Sequence, residues 1–130
     1  MVCIDTDILI DFLKQKEYAV KKIKELKDIN NFLATTSVNS FELFRGVIKS
    51  ENIDSIKPLN VLFSSLKIYN FNLSSSKKAA EILENLKSKG ELLDLADIMI
   101  ASIAITNDEP LLTNNINHFK RIPELKLQSL

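Results

Sequence analysis

Asp5, Asp7 and Asp11 stand among apolar neighbours in the opening stretch VCIDTDILIDFL, residues 2–13. A carboxylate at the edge of a core is costly to desolvate, so each needs a compensating partner or an exit to water. More oxygen-bearing side chains follow at Glu42, at Asp94 and Asp97, and at Asn114 and Asn115. Four separate stretches delivering such donors to one place would suit a hard divalent cation, which takes oxygen ligands and usually keeps several waters. Whether they meet depends on the elements that carry them.

Val2-Cys3-Ile4 reads as a short strand. Thr6 stands where it can cap a helix after it, and Ile8, Leu9, Phe12 and Leu13 have helical spacing. Residues 17–28 repeat that spacing with Val20, Ile23 and Leu26. Phe32-Leu33-Ala34-Thr35 reads as a second strand, and Thr36 or Ser37 caps a helix carrying Val38, Phe41, Phe44, Val47 and Ile48. Pro58 falls near the first turn of a further helix, where proline is tolerated, with Leu59, Leu62, Phe63 and Leu66 on its apolar face. Lys67-Ile68-Tyr69-Asn70 is a third strand. Ser74-Ser75-Ser76 opens an amphipathic helix ended by Gly90, and residues 95–106, apolar nearly all round, mark a buried one. Pro110-Leu111-Leu112-Thr113 and Leu125-Lys126-Leu127 supply a fourth and a fifth strand. Short strands separated by helices of this length imply crossover connections, hence an α/β fold with a parallel sheet in one domain over residues 1–130.

In such a sheet, ligands bind beyond the carboxyl ends of the strands. Asp5 directly follows the first strand, Glu42 lies one or two turns into the helix after the second, and Asn114 and Asn115 follow the fourth. Glu42 falls beside the Val38/Phe41/Ile48 face, which predicts that it is half sheltered. Each acid also has a plain alternative. Asp94 and Asp97, three apart before an apolar helix, suit a carboxylate form of the capping box. A capping Asp94 is nonetheless compatible with a ligand Asp97. Asp7 and Asp11 favour the positive end of the first helix or face solvent, and Glu42 is placed to pair with Arg45. His118, the only histidine, reads as a structural surface residue and cannot supply a two-histidine acid–base pair.

The totals narrow the class. The 130 residues suffice for one sizeable core, and with 45% apolar residues, three prolines and two glycines the chain is a compact folded domain. The single cysteine, Cys3, forms no internal disulfide and no cysteine zinc site, and it packs as a small hydrophobe. No apolar stretch approaches the roughly 20 residues of a membrane span. With no basic-then-apolar leader at the start, these features predict a soluble, cytoplasmic protein. Seventeen basic residues balance seventeen acidic ones, but Lys14, Lys16, Lys21, Lys22, Lys24 and Lys27 crowd one stretch. That stretch is either a solvated helix face or a track for phosphates.

The chemistry-bearing segments resemble, in order, those of the PIN-domain ribonucleases, the family of the VapC-type toxins. VCIDTDILIDFL resembles their opening Asp-Thr-Asn/Asp motif. TTSVNSFELFRGV resembles a Ser/Thr-x-x-x-x-Glu-Leu-x-x-Gly segment, with Glu42, Leu43 and Gly46 in register. LDLADIMIASIAI resembles the third acidic motif through Asp97, Ile100 and Ala101, and PLLTNNINHFKRIPELKL the closing stretch. The resemblance implies a three-layer PIN-like fold with a five-stranded parallel sheet in the order 3-2-1-4-5. It implies hydrolysis of RNA phosphodiesters with Mg²⁺ or Mn²⁺, held by Asp5, Glu42 and Asp97, with Thr6, Ser37 and Arg45 in support. A fourth acidic position of part of the family falls on Asn115, with Asp94 the acid available to substitute. It also implies a homodimer and a VapB-type antitoxin partner.

Two rivals remain at this level. Asp5-Thr6-Asp7 also matches the opening of haloacid-dehalogenase-type phosphatases, but those need a lysine and then an acidic pair after the Thr113 region, where Glu124 is the only acid. The second rival is a non-catalytic domain of the same fold that binds RNA or a partner.

Overall fold

The structure is a computed structural model and describes residues 1–30 and 32–130. Five short strands, β1 (Cys3–Ile4), β2 (Ala34–Thr36), β3 (Lys67–Tyr69), β4 (Leu111–Leu112) and β5 (Leu127–Gln128), form one sheet in the order β3-β2-β1-β4-β5. Every neighbouring pair is parallel, with Cys3 opposite both Ala34 and Leu111. Parallel neighbours cannot be joined by tight turns, so helices make the connections. These are α1 (Thr6–Leu13), α2 (Glu17–Ile29), α3 (Ser37–Lys49), α4 (Ile56–Ser64), α5 (Leu73–Ser88), α6 (Leu95–Thr106) and α7 (Ile116–Phe119), with one 3-10 turn at Ile53–Ser55.

Side chains alternate across a strand, and two dipeptides show how the layers are built. Cys3 and Leu111 belong to a core with Ala79, Ile82 and Leu86 of α5 and Ile98, Ala101 and Ala104 of α6. Ile4 and Leu112, one residue on, belong to a second core with Ile8 and Leu9 of α1, Leu26 of α2, Leu43 of α3 and Leu59 and Leu62 of α4. The sheet is therefore the middle of three layers, as the resemblance implied. Burial also pushes the Cys3 thiol up to about 12, so it packs as an inert hydrophobe.

Helix starts differ from the sequence reading in three places. Asp5, not Thr6, caps α1: its backbone is extended and its carboxylate accepts the Thr6 N–H at 2.9 Å. Asn72 caps α5 in a reciprocal box with Ser75, so the serine run lies inside the first turn. Asp94 occupies the cap position of α6, but its side chain makes no cap hydrogen bond, and the expected Asp94–Asp97 box is not formed. The apolar face of α3 also differs. Asn39 and Leu43 are its buried residues, whereas Phe41 and Ile48 point outward at 64% and 65% exposure. Apolar residues spread over more than one face of that helix, and spacing alone did not tell which arc meets the sheet.

Gly90, just past α5, has φ +69 and ends that helix as expected. Gly46 needs no such freedom. It lies within α3, and a Cβ built there meets nothing within 4 Å. Gly46→Ala should therefore stabilise the fold by about 0.5–1 kcal/mol through helix propensity. Urea unfolding reads this directly, and a lowered midpoint would show that the glycine serves a close approach.

Candidate active site

The carboxyl ends of β1, β2 and β4 carry a connected set of polar side chains. Asp5, 5% exposed, follows β1. Its Oδ1 accepts the Thr6 N–H and the Asn39 Nδ2 amide, each at 2.9 Å, and its Oδ2 accepts the Thr113 hydroxyl at 2.7 Å. Asn39 is fully buried and is itself held by Thr36, whose hydroxyl donates to Asn39 Oδ1 at 2.7 Å and accepts the Asn39 N–H at 3.2 Å. That reciprocal capping box starts α3, so the helix cap and the support of Asp5 are one device.

From Asn39 the network continues outward. Its amide also donates to Thr6 Oγ1 at 2.9 Å, and the Thr6 hydroxyl donates to Glu42 Oε1 at 2.7 Å. Glu42 is half-buried, as expected, and its partner is Thr6 rather than Arg45. Arg45 is exposed on the same helix.

Asp97 arrives from the first turn of α6 with its side chain 16% exposed. Burial first, then the charges of Asp5, Glu42 and Asp94, push its carboxyl up to about 6. Asp5 is shifted upward too: burial outweighs the three donors, and the Glu42 charge adds to it. In both acids burial is the larger cause and the neighbouring carboxylates add to it. Asp94 is exposed and contributes its charge from the rim.

Several residues fall elsewhere than the sequence suggested. The Ser37 hydroxyl accepts the Phe71 N–H at 3.2 Å, tying α3 to the segment after β3, while Thr36 supports Asn39. Asn115 donates its backbone N–H to Thr113 Oγ1 at 2.9 Å, and its side chain is exposed. Asp7 is more than a first-turn acid. Its Oδ2 accepts the Asn114 N–H at 2.9 Å and lies 3.4 Å from Thr113 Oγ1, and burial with the Asp5 charge moves its carboxyl upward. His118 lies beside the acids, with Nδ1 4.0 Å from Asp97 Oδ2.

Asn39 and Thr113 were not singled out from the sequence. The one signal for Asn39 was its place three residues after the capping Thr36. Among the described residues, no three His, Cys, Asp or Glu side chains are gathered tightly enough to hold a metal ion by themselves. The available donors are all hard oxygens. They fit a dication that keeps several waters and uses one or two carboxylates together with substrate phosphates, and not an all-protein cage.

Comparison with known proteins decides the family, since the PIN domain model matches residues 2–125. The chain belongs to the PIN-domain family. Within it, Ribonuclease VapC2 of Rickettsia felis is 33% identical over 127 residues, covering 97% of this chain and 95% of that one. The crystal structure of VapBC2 from Rickettsia felis, bound to a DNA fragment from their promoter, matches this PIN chain with a TM-score of 0.89 at 32% identity. It covers 100% of this chain and 99% of that one. VapBC-1 from nontypeable Haemophilus influenzae matches with a TM-score of 0.88 at 26% identity, over 99% and 98% of the two chains. No helix among the described residues of this PIN domain is long and apolar enough to cross a membrane.

The raised Asp97 pKa sets a pH dependence for the metal-free fold. The folded state holds its proton more tightly than the unfolded chain does, so the Asp97 contribution to stability is fully present below the ordinary value of 3.8 and is lost as pH rises through about 6. Asp97→Asn should flatten that fall. Unfolding of both proteins in chelator across this window measures it, and equal slopes would show that Asp97 is not held among like charges.

Proposed function

We infer that this chain, one PIN domain over residues 1–130, is a metal-dependent endoribonuclease of the VapC type and the toxin of a VapBC toxin–antitoxin pair. The observation that supports the reading is that Asp5 and Glu42 share one hydrogen-bond network through Asn39 and Thr6, while Asp97, from the first turn of α6, lies within reach of the charges of both. Membership of the PIN family and the VapC relatives support it.

Asp5, Glu42 and Asp97 would hold Mg²⁺ or Mn²⁺, with Asp94 as an outer acid where Asn115 replaces a fourth. A divalent cation there would supply Lewis-acid polarisation of a phosphodiester and activation of the attacking water. The chain's own residues set the geometry. Three donors fix the Asp5 carboxylate, Thr6 fixes Glu42, and Asp97 accepts no hydrogen bond among the described residues, with His118 Nδ1 4.0 Å from its Oδ2. Ser37, turned toward Phe71, supports the helix start, and Thr36 takes the supporting place beside Asn39.

RNA would approach the acids along basic side chains. Lys21 and Lys24 line a groove with Phe12, Leu13 and Val20, and Lys14 lines a second groove that reaches Glu42. Arg45 stands exposed on α3, the helix of Glu42. A VapB-type antitoxin is the expected partner, and a homodimer fits the outward Phe41 and Ile48 of α3 and Leu95 of α6. The cytoplasm, where its RNA substrate lies, is the expected compartment.

Cleavage of structured RNA with Mn²⁺ tests the reading. Asp5→Asn, Glu42→Gln and Asp97→Asn should each lower the rate by about 100-fold or more with the fold retained, given the several kcal/mol a metal site supplies. Full activity in any one would remove that residue from the site, and metal-independent wild-type silence would favour a purely binding domain. Mn²⁺ at 100 times its dissociation constant should also stabilise the wild type by about 2.7 kcal/mol.

The lysines have a separate test. Replacing Lys21, Lys22 and Lys24 together by Gln should weaken RNA binding and reduce the salt slope by about 0.7 per lost phosphate contact. An unchanged slope would return these lysines to a merely solvated face.

A further inference from the structure

A hydrogen-bonded bridge runs away from the acids to the corner between α1 and α2. Asn114 is doubly tethered: its backbone N–H donates to Asp7 Oδ2 at 2.9 Å, and its side-chain amide donates to the Tyr18 hydroxyl at 2.8 Å. The Tyr18 hydroxyl donates in turn to Asp11, whose Oδ1 lies 3.1 Å from Lys16 Nζ. Asp11, read from sequence as facing solvent, is thus the far anchor of the bridge. Its carboxyl is held below the ordinary value by the Tyr18 hydrogen bond and by Lys16.

As a source of stability this bridge is weak. Tyr18 is 38% exposed and Asn114 is exposed. Hydrogen bonds that compete with water contribute about 0.5–1.5 kcal/mol each. As a positioning device it is well placed. Asn114 directly follows Thr113, whose single hydroxyl proton has two carboxylates within reach, Asp5 Oδ2 at 2.7 Å and Asp7 Oδ2 at 3.4 Å. Asn115, on the other side, orients the same hydroxyl through its N–H. Where the 113–115 backbone sits decides which acid receives the Thr113 proton.

We propose that Tyr18 is a positioning residue of the acid site: by holding Asn114 against Asp11, it keeps the Thr113 hydroxyl on Asp5 and fixes the α1–α2 lysines in register with the acids. The proposal rests on the nuclease reading for its catalytic consequence, but not for its structural one. Tyr18 lies in the first turn of α2, the helix that carries Lys21, Lys22 and Lys24. One hydroxyl therefore joins the basic corner to the end of β4. Loss of that hydroxyl leaves Asn114 with the Asp7 tether alone, and the Thr113 proton divides between Asp5 and Asp7.

The experiment compares the full-length wild type with Tyr18→Phe, Asn114→Ala and the double variant. In Tyr18→Phe, kcat for Mn²⁺-dependent RNA cleavage should fall about 5- to 10-fold with KM unchanged, the size of effect that a small misplacement of a reacting group produces. Amide exchange at Asn114 and Asn115 should quicken about 10-fold as the segment opens locally. The melting temperature should fall by only about 4 °C, since the two lost hydrogen bonds are exposed and lie at the low end of the range for such bonds. Asn114→Ala should match it in kcat, and the double variant should be no worse than either single one, since both break the same bridge.

A rise in KM at constant kcat would place Tyr18 on the RNA and overturn the proposal. Unchanged exchange at Asn114 and Asn115, or additive losses in the double variant, would overturn it as well. If the wild type cleaves no RNA, the nuclease reading fails by itself, and the exchange measurements alone decide the positioning role.

Discussion

The structure turns on holding one carboxylate, that of Asp5, almost wholly out of water. Asp5 is almost fully enclosed, and burial alone would drive it toward its neutral form. Its donors come from three places in the chain: Thr6 of α1, Asn39 of α3 and Thr113 after β4. Each of those groups has its own anchor. Asn39 is seated by Thr36, Thr6 is turned by Glu42, and Thr113 is oriented by Asn115. The elements around the sheet can be read as the scaffold that holds these donors on Asp5, and the central place of β1 between β2 and β4 is what lets both sides reach it.

That arrangement also explains why the acids behave unequally. Asp5 is surrounded by donors and fixed. Glu42 is fixed through one hydroxyl. Asp97 accepts no hydrogen bond among the described residues, and burial with the like charges of Asp5, Glu42 and Asp94 outweighs the nearby His118 and raises its carboxyl. The fixed acids therefore set the geometry of the cluster, and Asp97 is the one whose carboxyl is left without a hydrogen-bond donor among the described residues.

Much of this was legible in the sequence. The acids declared themselves because a carboxylate next to Ile4 or within an apolar helix is conspicuous, and the five strands lay within a residue or two of their observed places. The order of the strands came from the family resemblance and not from periodicity. What stayed hidden was the support. Asn39 and Thr113 are ordinary polar residues at a helix start and a strand end, and hydrogen bonds spanning 34 or 108 positions leave no local pattern. The helix caps were misplaced by one or two residues for a related reason, since Asp5 and Thr6, or Asn72 and Ser74, have similar capping chemistry and only the backbone chooses between them. Phe41 and Ile48 of α3 face outward because apolar character alone does not say which arc of a helix meets the core of its own chain.

The long reach between Asp5 and Thr113 has a consequence for the timing of assembly. β1 is made first, yet one of its two neighbours in the sheet is β4, and the donor to Asp5 Oδ2 comes 108 residues later. A growing chain that has not yet delivered Thr113 holds its first acid without its last donor and its central strand with one edge open. Contacts this distant in sequence form late, after loop closure over most of the chain. The acid cluster is therefore a property of the finished molecule. On the nuclease reading, the ribosome that makes this protein is not exposed to a working active site until nearly all of the domain has emerged.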